Sequence, residues 1–554
     1  MKKIIPFLAL LLIQQLATAQ NTACNWAFAP SGSNTFNGLV YNTAVDHQGN
    51  ILQCGTIYGI ADMDPGSGPA DTSFSFPTYN YYLSKTDITG HLIWIKYFTS
   101  VSPIPTFIIH GMDINSQDEI IITGDYFGAV DMDLSPTGTF TITSHQPTYN
   151  DFFVAKYNTN GELQWANTFG GTSGNIGASS LDIQNNDRIV LSISTGSNLD
   201  LDPGTGTALA VGGSANIVCY DTDGNYIWSN QISKPTSYSV DNKSIDCDSV
   251  GNSYLLSVGY YELTVTKFDL NGLEIWCKTI GDFQNLARVE PHSLYVDKDG
   301  SFYIVGKYLN VVDFDPGVGV NTQTSSSQND HDGFFVSYDA DMLPLWVKTY
   351  TGRITFGNQS LVKSGSDFIT GGQLMGNVIM GPGVTYSAST YSPFFIRTDG
   401  SGNLVAGGTF QCAGKVNTID LSPTGHLIST GIFSGTVDID PTVSGTVTLT
   451  SGSSTTSFTA VYASPFSGIL ESNIHDIIQV YPNPTHGCIR FQNQAGRSGI
   501  ISVFDSNGRR CIEKEFGDDL TVTIPANHLS SGVYNYRICG KSKELISSGK
   551  IVIE

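Results

Sequence analysis

The sequence predicts an all-β protein: a seven-bladed β-propeller closed by an N-terminal strand, followed by a small C-terminal β-sandwich. Three observations lead there. Charged residues make up only 14% of the 554 while glycine numbers 59, and helical periodicity is hard to find anywhere, so short strands joined by tight turns are expected. One hairpin pattern recurs along most of the chain. The last stretch, about 80 residues long, differs from the rest in charge and motifs.

The chain opens with Lys2 and Lys3, an apolar run from Ile4 to Ile13, and Ala17-Thr18-Ala19. A charged start, a short apolar core and an A-x-A site are the parts of a secretory signal peptide, read over residues 1–19. The run is shorter than the roughly 20 residues that a membrane-spanning helix needs, and no later segment supplies one.

The propeller is read over residues 20–463. Gly90-His91-Leu92-Ile93-Trp94, Gly161-Glu162-Leu163-Gln164-Trp165, Gly224-Asn225-Tyr226-Ile227-Trp228 and Gly272-Leu273-Glu274-Ile275-Trp276 each place a turn glycine four residues before a tryptophan. Trp346 follows Met342 at the same spacing. A second hairpin precedes each of these, as in Val45 to Ile51 and Val296 to Phe302, with relatives near Ile114, Ile183, Ile245, Lys363 and Ile419. Two hairpins make a four-stranded sheet, and seven such units average about 63 residues. The seventh has a third strand, Phe458 to Tyr462, but no tryptophan strand after it. Asn25-Trp26-Ala27-Phe28, near the other end, is a tryptophan strand with no hairpin before it. A ring closed by that strand accounts for both, and it leaves no exposed sheet edge. Each tryptophan is read as packing between blades. Two units depart from the pattern: unit six has Ala406 where tryptophan is expected, and unit four is about fifteen residues short. Over roughly residues 24–465 the pattern resembles the SBBP-type β-propeller repeats of bacterial secreted proteins. That resemblance implies architecture and brings no catalytic residue with it.

Five units carry paired acids before a turn: Asp62 and Asp64, Asp131 and Asp133, Asp200 and Asp202, Asp313 and Asp315, Asp438 and Asp440. Residues two apart on a strand share a face, so each pair would offer two carboxylates toward a Ca²⁺ ion, with carbonyls and water completing the shell. The competing reading is that Asp-Pro-Gly forms the turn.

Residues 464–476 read as an exposed linker containing Ser464-Pro465-Phe466-Ser467-Gly468. Beyond it, residues 477–554 carry Pro482-Asn483-Pro484 with Gly487, then Phe504-Asp505-Ser506-Asn507-Gly508, then Ser531-Gly532-Val533-Tyr534, and finally Gly549-Lys550-Ile551. These four motifs in order resemble the C-terminal sorting domain of the type IX, or Por, secretion system of Bacteroidetes. The resemblance implies that Pro482, Asn483, Pro484, Gly487, Gly508, Gly532, Tyr534 and Lys550 belong to a signal read by the type IX secretion machinery, and that the domain is usually removed on arrival. The destination implied is the cell surface or the medium, by way of the periplasm.

Charge divides along the same line. Residues 20–476 hold sixteen basic and 42 acidic residues, whereas residues 477–554 hold nine basic and seven acidic. A body this acidic repels phosphate backbones, so nucleic acid is not expected as a partner. Nine cysteines, an odd number at low density, leave disulfide connectivity open, and no Cys/His spacing suits zinc. No G-x-S-x-G, H-E-x-x-H or P-loop pattern occurs, and the histidines are scattered. The expected function is therefore a secreted or surface binding protein for a glycan or protein ligand, engaged through Ser/Thr-rich loops such as 321–327. The alternative is a propeller enzyme, hydrolase or lyase, acting on extracellular polysaccharide with acids converging on a central channel.

Overall fold

A computed structural model describes residues 24–32, 37–59, 61–64, 76–100, 106–146, 148–171, 176–195, 198–211, 214–232, 241–259, 262–281, 287–440, 446–451, 455–463, 478–481, 488–493, 499–505, 509–517, 521–525, 529–540 and 545–553. The signal peptide and linker read from the sequence lie outside these residues, as do Pro482, Asn483, Pro484, Gly487 and Gly508. Among the described residues every regular element is a β-strand.

Residues 24–463 form four-stranded antiparallel units of one design. In the second, Thr106–Ile114 pairs with Ile120–Phe127, which pairs with Asp151–Tyr157, which pairs with Leu163–Phe169. The strand Pro344–Ser364 is shared: its first half closes the fifth unit against Asp332–Tyr338, and its second half opens the sixth against Asp367–Gly381. In the seventh unit Ala413–Leu421, Leu427–Ser434 and Thr456–Tyr462 are completed by Cys24–Phe28, with Trp26 opposite Val461. The first strands of successive units lie against one another in order, and Ala413–Leu421 lies against Asn37–Val45 of the first unit. The apolar cores sit between units. Phe98 of the first unit, for example, packs on Phe107 of the second at 4.7 Å, and Phe107 stacks on Phe153 at 4.9 Å.

The Gly-x-x-x-Trp spacing couples neighbours. The glycine of each turn leaves room for the indole of the preceding unit, and the tryptophan that follows goes on to the next turn. A β-carbon at Gly161 would stand 3.1 Å from Trp94, and one at Gly224 3.0 Å from Trp165. The indole N–H groups of Trp26, Trp94, Trp165, Trp228 and Trp346 donate to the carbonyls of Ile88, Thr159, Thr222, Leu270 and Gly400 in the adjoining turn. Trp276 faces the turn where Met342 replaces glycine at φ 60°, and its Nε1 is buried with no acceptor among the described residues. Ala406 has a simple reason. The seventh unit receives its fourth strand from the N-terminal side, so it has no turn between third and fourth strands to hold an indole.

Unit four is short because Ser253–Val258 turns directly into Leu263–Phe268. Unit six replaces the acid-pair hairpin by extending Asp367–Gly381 and Val384–Thr398. In residues 478–553 a three-stranded and a four-stranded antiparallel sheet share one core that includes Phe491, Ile501, Val503, Ile538 and Ile551.

Candidate functional site

Four of the acid pairs hold hairpins that fold back on the units, while the strand that ends at Asp62 pairs with Ser31–Gly32. The first aspartate ends a short strand at Asp62, Asp131, Asp200, Asp313 and Asp438, so the second falls beyond the strand and the pair does not present two carboxylates on one strand face. Asp200 Oδ1 accepts the N–H of Asp202 at 3.1 Å and of Ala208 at 2.7 Å, while Asp202 Oδ1 accepts that of Gly204 at 2.7 Å. Asp313 and Asp315 repeat this with Asn321 and Gly317, and Asp131 and Asp133 with Phe140 and Ser135. Asp438 likewise accepts from Asp440 and Val447, and Asp62 from Asp64. The residue between the acids is a core plug: Met132, Leu201 and Phe314 are fully buried. Its carbonyl accepts the hydroxyl of the tyrosine that ends the third strand, as Tyr157, Tyr220, Tyr338 and Tyr462 bond Met132, Leu201, Phe314 and Ile439. The Ser/Thr-rich stretch at 321–327 is largely the return strand Thr322–Thr324 of such a hairpin. Among the described residues no group of three or more His, Cys, Asp or Glu side chains is arranged to hold a metal ion.

A second set of aspartates lies on the first strands of the units. Asp113, Asp182, Asp246 and Asp420 occupy one register position near the end of four first strands. Asp113 accepts the N–H of Ile114 at 2.7 Å and of Ile183, in the next unit, at 3.1 Å. Asp246 does the same with Cys247 and Val296, at 2.8 and 2.6 Å. Asp420 accepts from Leu421 and from Val45 of the first unit. Burial, and for the last three neighbouring carboxylates as well, pushes Asp113 up to about 6, Asp246 and Asp420 up to about 7, and Asp182 well above the usual carboxylate range. Converging acids are therefore present, but they staple one first strand to the next. Their signal is legible in retrospect as an aspartate between two apolar residues just before a turn, in Met112-Asp113-Ile114 and its three relatives.

The cavity lies three residues earlier on the same strands. Each first strand carries a β-bulge or similar break in register, which leaves residues outside the ladder. These are Tyr41, His110, Ser179, Lys243, His292 and Asn417, and residues 357–360 in the sixth unit. Tyr41, His110, Lys243, Asn358, Gln359 and Asn417 line a cavity of about 280 Å³. Its lining holds amides, hydroxyls, an imidazole and an ammonium and, among the described residues, no carboxylate. His110 Nε2 stands 3.2 Å from Asp125 Oδ2. A bulge is set by pairing between strands, so single-strand patterning gave no pointer to these residues.

In the C-terminal sheets, Tyr534 is buried and its hydroxyl donates to Ser530 O at 2.9 Å. Gly532 opens the strand Gly532–Gly540, and Lys550 lies on Leu545–Ile553, opposite Asn535. The family described as the secretion system C-terminal sorting domain matches residues 479–554. Residues 479–554 are a type IX sorting domain. Its presence means that the protein is exported through the periplasm to the cell surface or the medium, and that the type IX machinery is its partner in transit. Among the described residues no helix is long and apolar enough to cross a membrane.

No curated protein matches the chain. Several solved structures are similar to it. A fungal alcohol oxidase in complex with copper is 11% identical, with a TM-score of 0.36 over 95% of this chain and 99% of its own. A protein of unknown function from Dyadobacter fermentans is 11% identical, with a TM-score of 0.33 over 66% of this chain and 97% of its own. The extracellular domain of a putative hybrid two-component system from B. thetaiotaomicron is 10% identical, with a TM-score of 0.18 over 94% of this chain and 97% of its own. Likeness at this level assigns neither ligand nor reaction.

Proposed function

We propose that the protein is a secreted or cell-surface binding protein whose body, residues 20–463, is a seven-bladed β-propeller closed by its N-terminal strand. In this reading residues 1–19 are a signal peptide and residues 464–476 link the body to the sorting domain. The ligand is a glycan, seated in the axial cavity. The observation that carries this is the convergence of bulged residues from five units, Tyr41, His110, Lys243, Asn358 with Gln359, and Asn417, on a single polar cavity. Amides and hydroxyls fixed on rigid strands suit the hydroxyls of a sugar, and 280 Å³ is near the lower end of ligand pockets. The acid pairs are assigned to holding hairpins. Calcium, the other use open to them, would have to compete with amide bonds already made.

Binding of the full chain to an immobilised glycan panel tests the reading, with Asn417→Ala as the cavity variant. The expected result is retention of a restricted set of glycans by the wild type and loss by the variant. Equal retention by both would move the ligand elsewhere, and retention of none would remove the glycan reading. One observation favours the polysaccharide-active alternative: a histidine beside a carboxylate, His110 with Asp125, faces the cavity, and this is a layout for a general base. Release of reducing or unsaturated ends from a bound glycan, abolished by His110→Ala, would establish it.

A further inference from the structure

Basic residues are scarce in the body, sixteen among residues 20–476, and most have a visible task. Lys85 pairs with Asp46, Lys156 with Glu119, Lys363 with Asp297 and Arg397 with Asp367, while Lys96, Lys267 and Lys278 donate to turn carbonyls of the next unit. Four others cluster: the charges of Lys243, Lys307 and Lys415 reach His292, Arg288 shares Glu290 with Lys307, and one of the four meets the cavity. Lys243 lines it. Lys415 lies two residues before Asn417 on the same strand, on the side opposite the core residue Val416. It makes no hydrogen bond or ion pair with any described residue. Arg288 and Lys307 share the single carboxylate of Glu290, with Lys307 Nζ at 2.8 Å from Oε2.

His292 completes the cluster. It is the bulged residue of the fifth unit, and its Nε2 is buried with no hydrogen-bond partner among the described residues. Enclosure first, and then the charges of Lys307, Lys415 and Lys243, pushes it down to about 3. The imidazole is therefore neutral and adds no charge to the cluster. Enclosure and Lys307 also push Lys415 below the usual lysine range, as expected for a cation held without a counter-ion. Desolvating a charge with no partner is costly, so such a group is a standing demand for an anion.

The geometry points to an anionic saccharide as the ligand, a sugar bearing a carboxylate or sulfate, with its acid group on Lys415 and Lys243 beside His292 and its hydroxyls on Asn358, Gln359 and Asn417. This rests on the glycan reading above and narrows it. A local positive seat inside an acidic body would also draw such a ligand toward the axis, with attraction that weakens as salt rises.

The test uses the full chain on a panel of neutral, carboxylated and sulfated glycans, with methyl esters of the carboxylated ones. Binding is expected among the acidic glycans, at least tenfold weaker at 0.5 M than at 0.05 M salt, and at least tenfold weaker in Lys415→Met. For carboxylated ligands it should disappear on esterification; binding by sulfated glycans alone would name sulfate as the group recognised. Lys243→Gln, at an exposed position, is the second variant if Lys415→Met lowers the melting temperature. Binding of neutral glycans or esters as tight as that of the acids would overturn the anionic seat and leave the glycan reading standing. Retention of no glycan would overturn both.

Discussion

The indole of Trp26 lies over Gly90: a β-carbon there would stand 3.2 Å from the ring, and Trp26 Nε1 donates to Ile88 O at 2.8 Å. These residues belong to the last and first units, so the contact that joins neighbours elsewhere also joins the ends of the repeat. Removing residues 21–28 should expose the edge of Thr456–Tyr462 and lower the melting temperature or cause association. Calorimetry and light scattering of the truncated chain check this, and an unchanged, monodisperse protein would count against closure.

The turn glycines separate two costs. Gly272 and Gly49 both have positive φ, 80° and 87°, but a β-carbon at Gly272 would collide with Trp228, whereas at Gly49 it would meet nothing within 4 Å. Gly49→Ala should cost about 1 kcal/mol, the strain of the left-handed conformation alone. Gly272→Ala should cost about 2–4 kcal/mol, since the indole must also move. Urea titration of the two variants measures the difference.

The acid pairs predict insensitivity to calcium. Asp200→Ala removes the acceptor of two amides and should cost about 1–3 kcal/mol. Tyr220→Phe, which frees the Leu201 carbonyl, should cost about 1 kcal/mol. Neither loss should depend on calcium or chelator. A melting temperature that rises with millimolar Ca²⁺ and falls with chelator would instead show metal at these hairpins.

The stapling aspartates predict a pH dependence. Their folded pKa values are raised above the unfolded value of about 3.9, so the folded state binds more protons and stability falls as pH rises. The contribution is fully present below about pH 4 and is lost as pH rises through about 6 to 7, the range of Asp113, Asp246 and Asp420. The melting temperature should therefore be higher at pH 5 than at pH 8. Asp182→Asn should flatten the slope, because it removes one titrating group whose folded value lies well above the usual carboxylate range.

The sorting domain predicts processing. In the native bacterium the exported protein should end within or near residues 464–476, and a chain lacking residues 477–554 should remain in the periplasm. Mass spectrometry of medium, surface and periplasmic fractions decides both points. Normal export of the truncated chain would remove the sorting role.

What could be read from the sequence alone was what neighbouring residues dictate. A glycine four residues before a tryptophan marks a hairpin, its recurrence counts units, the unmatched Trp26 names the closing strand, and four ordered motifs mark the sorting domain. Each depends on local backbone geometry or on a pattern repeated in order, so each survives without coordinates. Tertiary structure decided what depends on register and on distant strands. It placed the second aspartate of each pair past the strand end, because the apolar residue between the acids is drawn into the core. It explained Ala406, because an indole needs a turn in the next unit and the seventh has none. It alone brought Tyr41, His110, Lys243 and Asn417 to one cavity, because a bulge exists only in relation to the partner strand, and strands of separate units meet only when the units pack side by side.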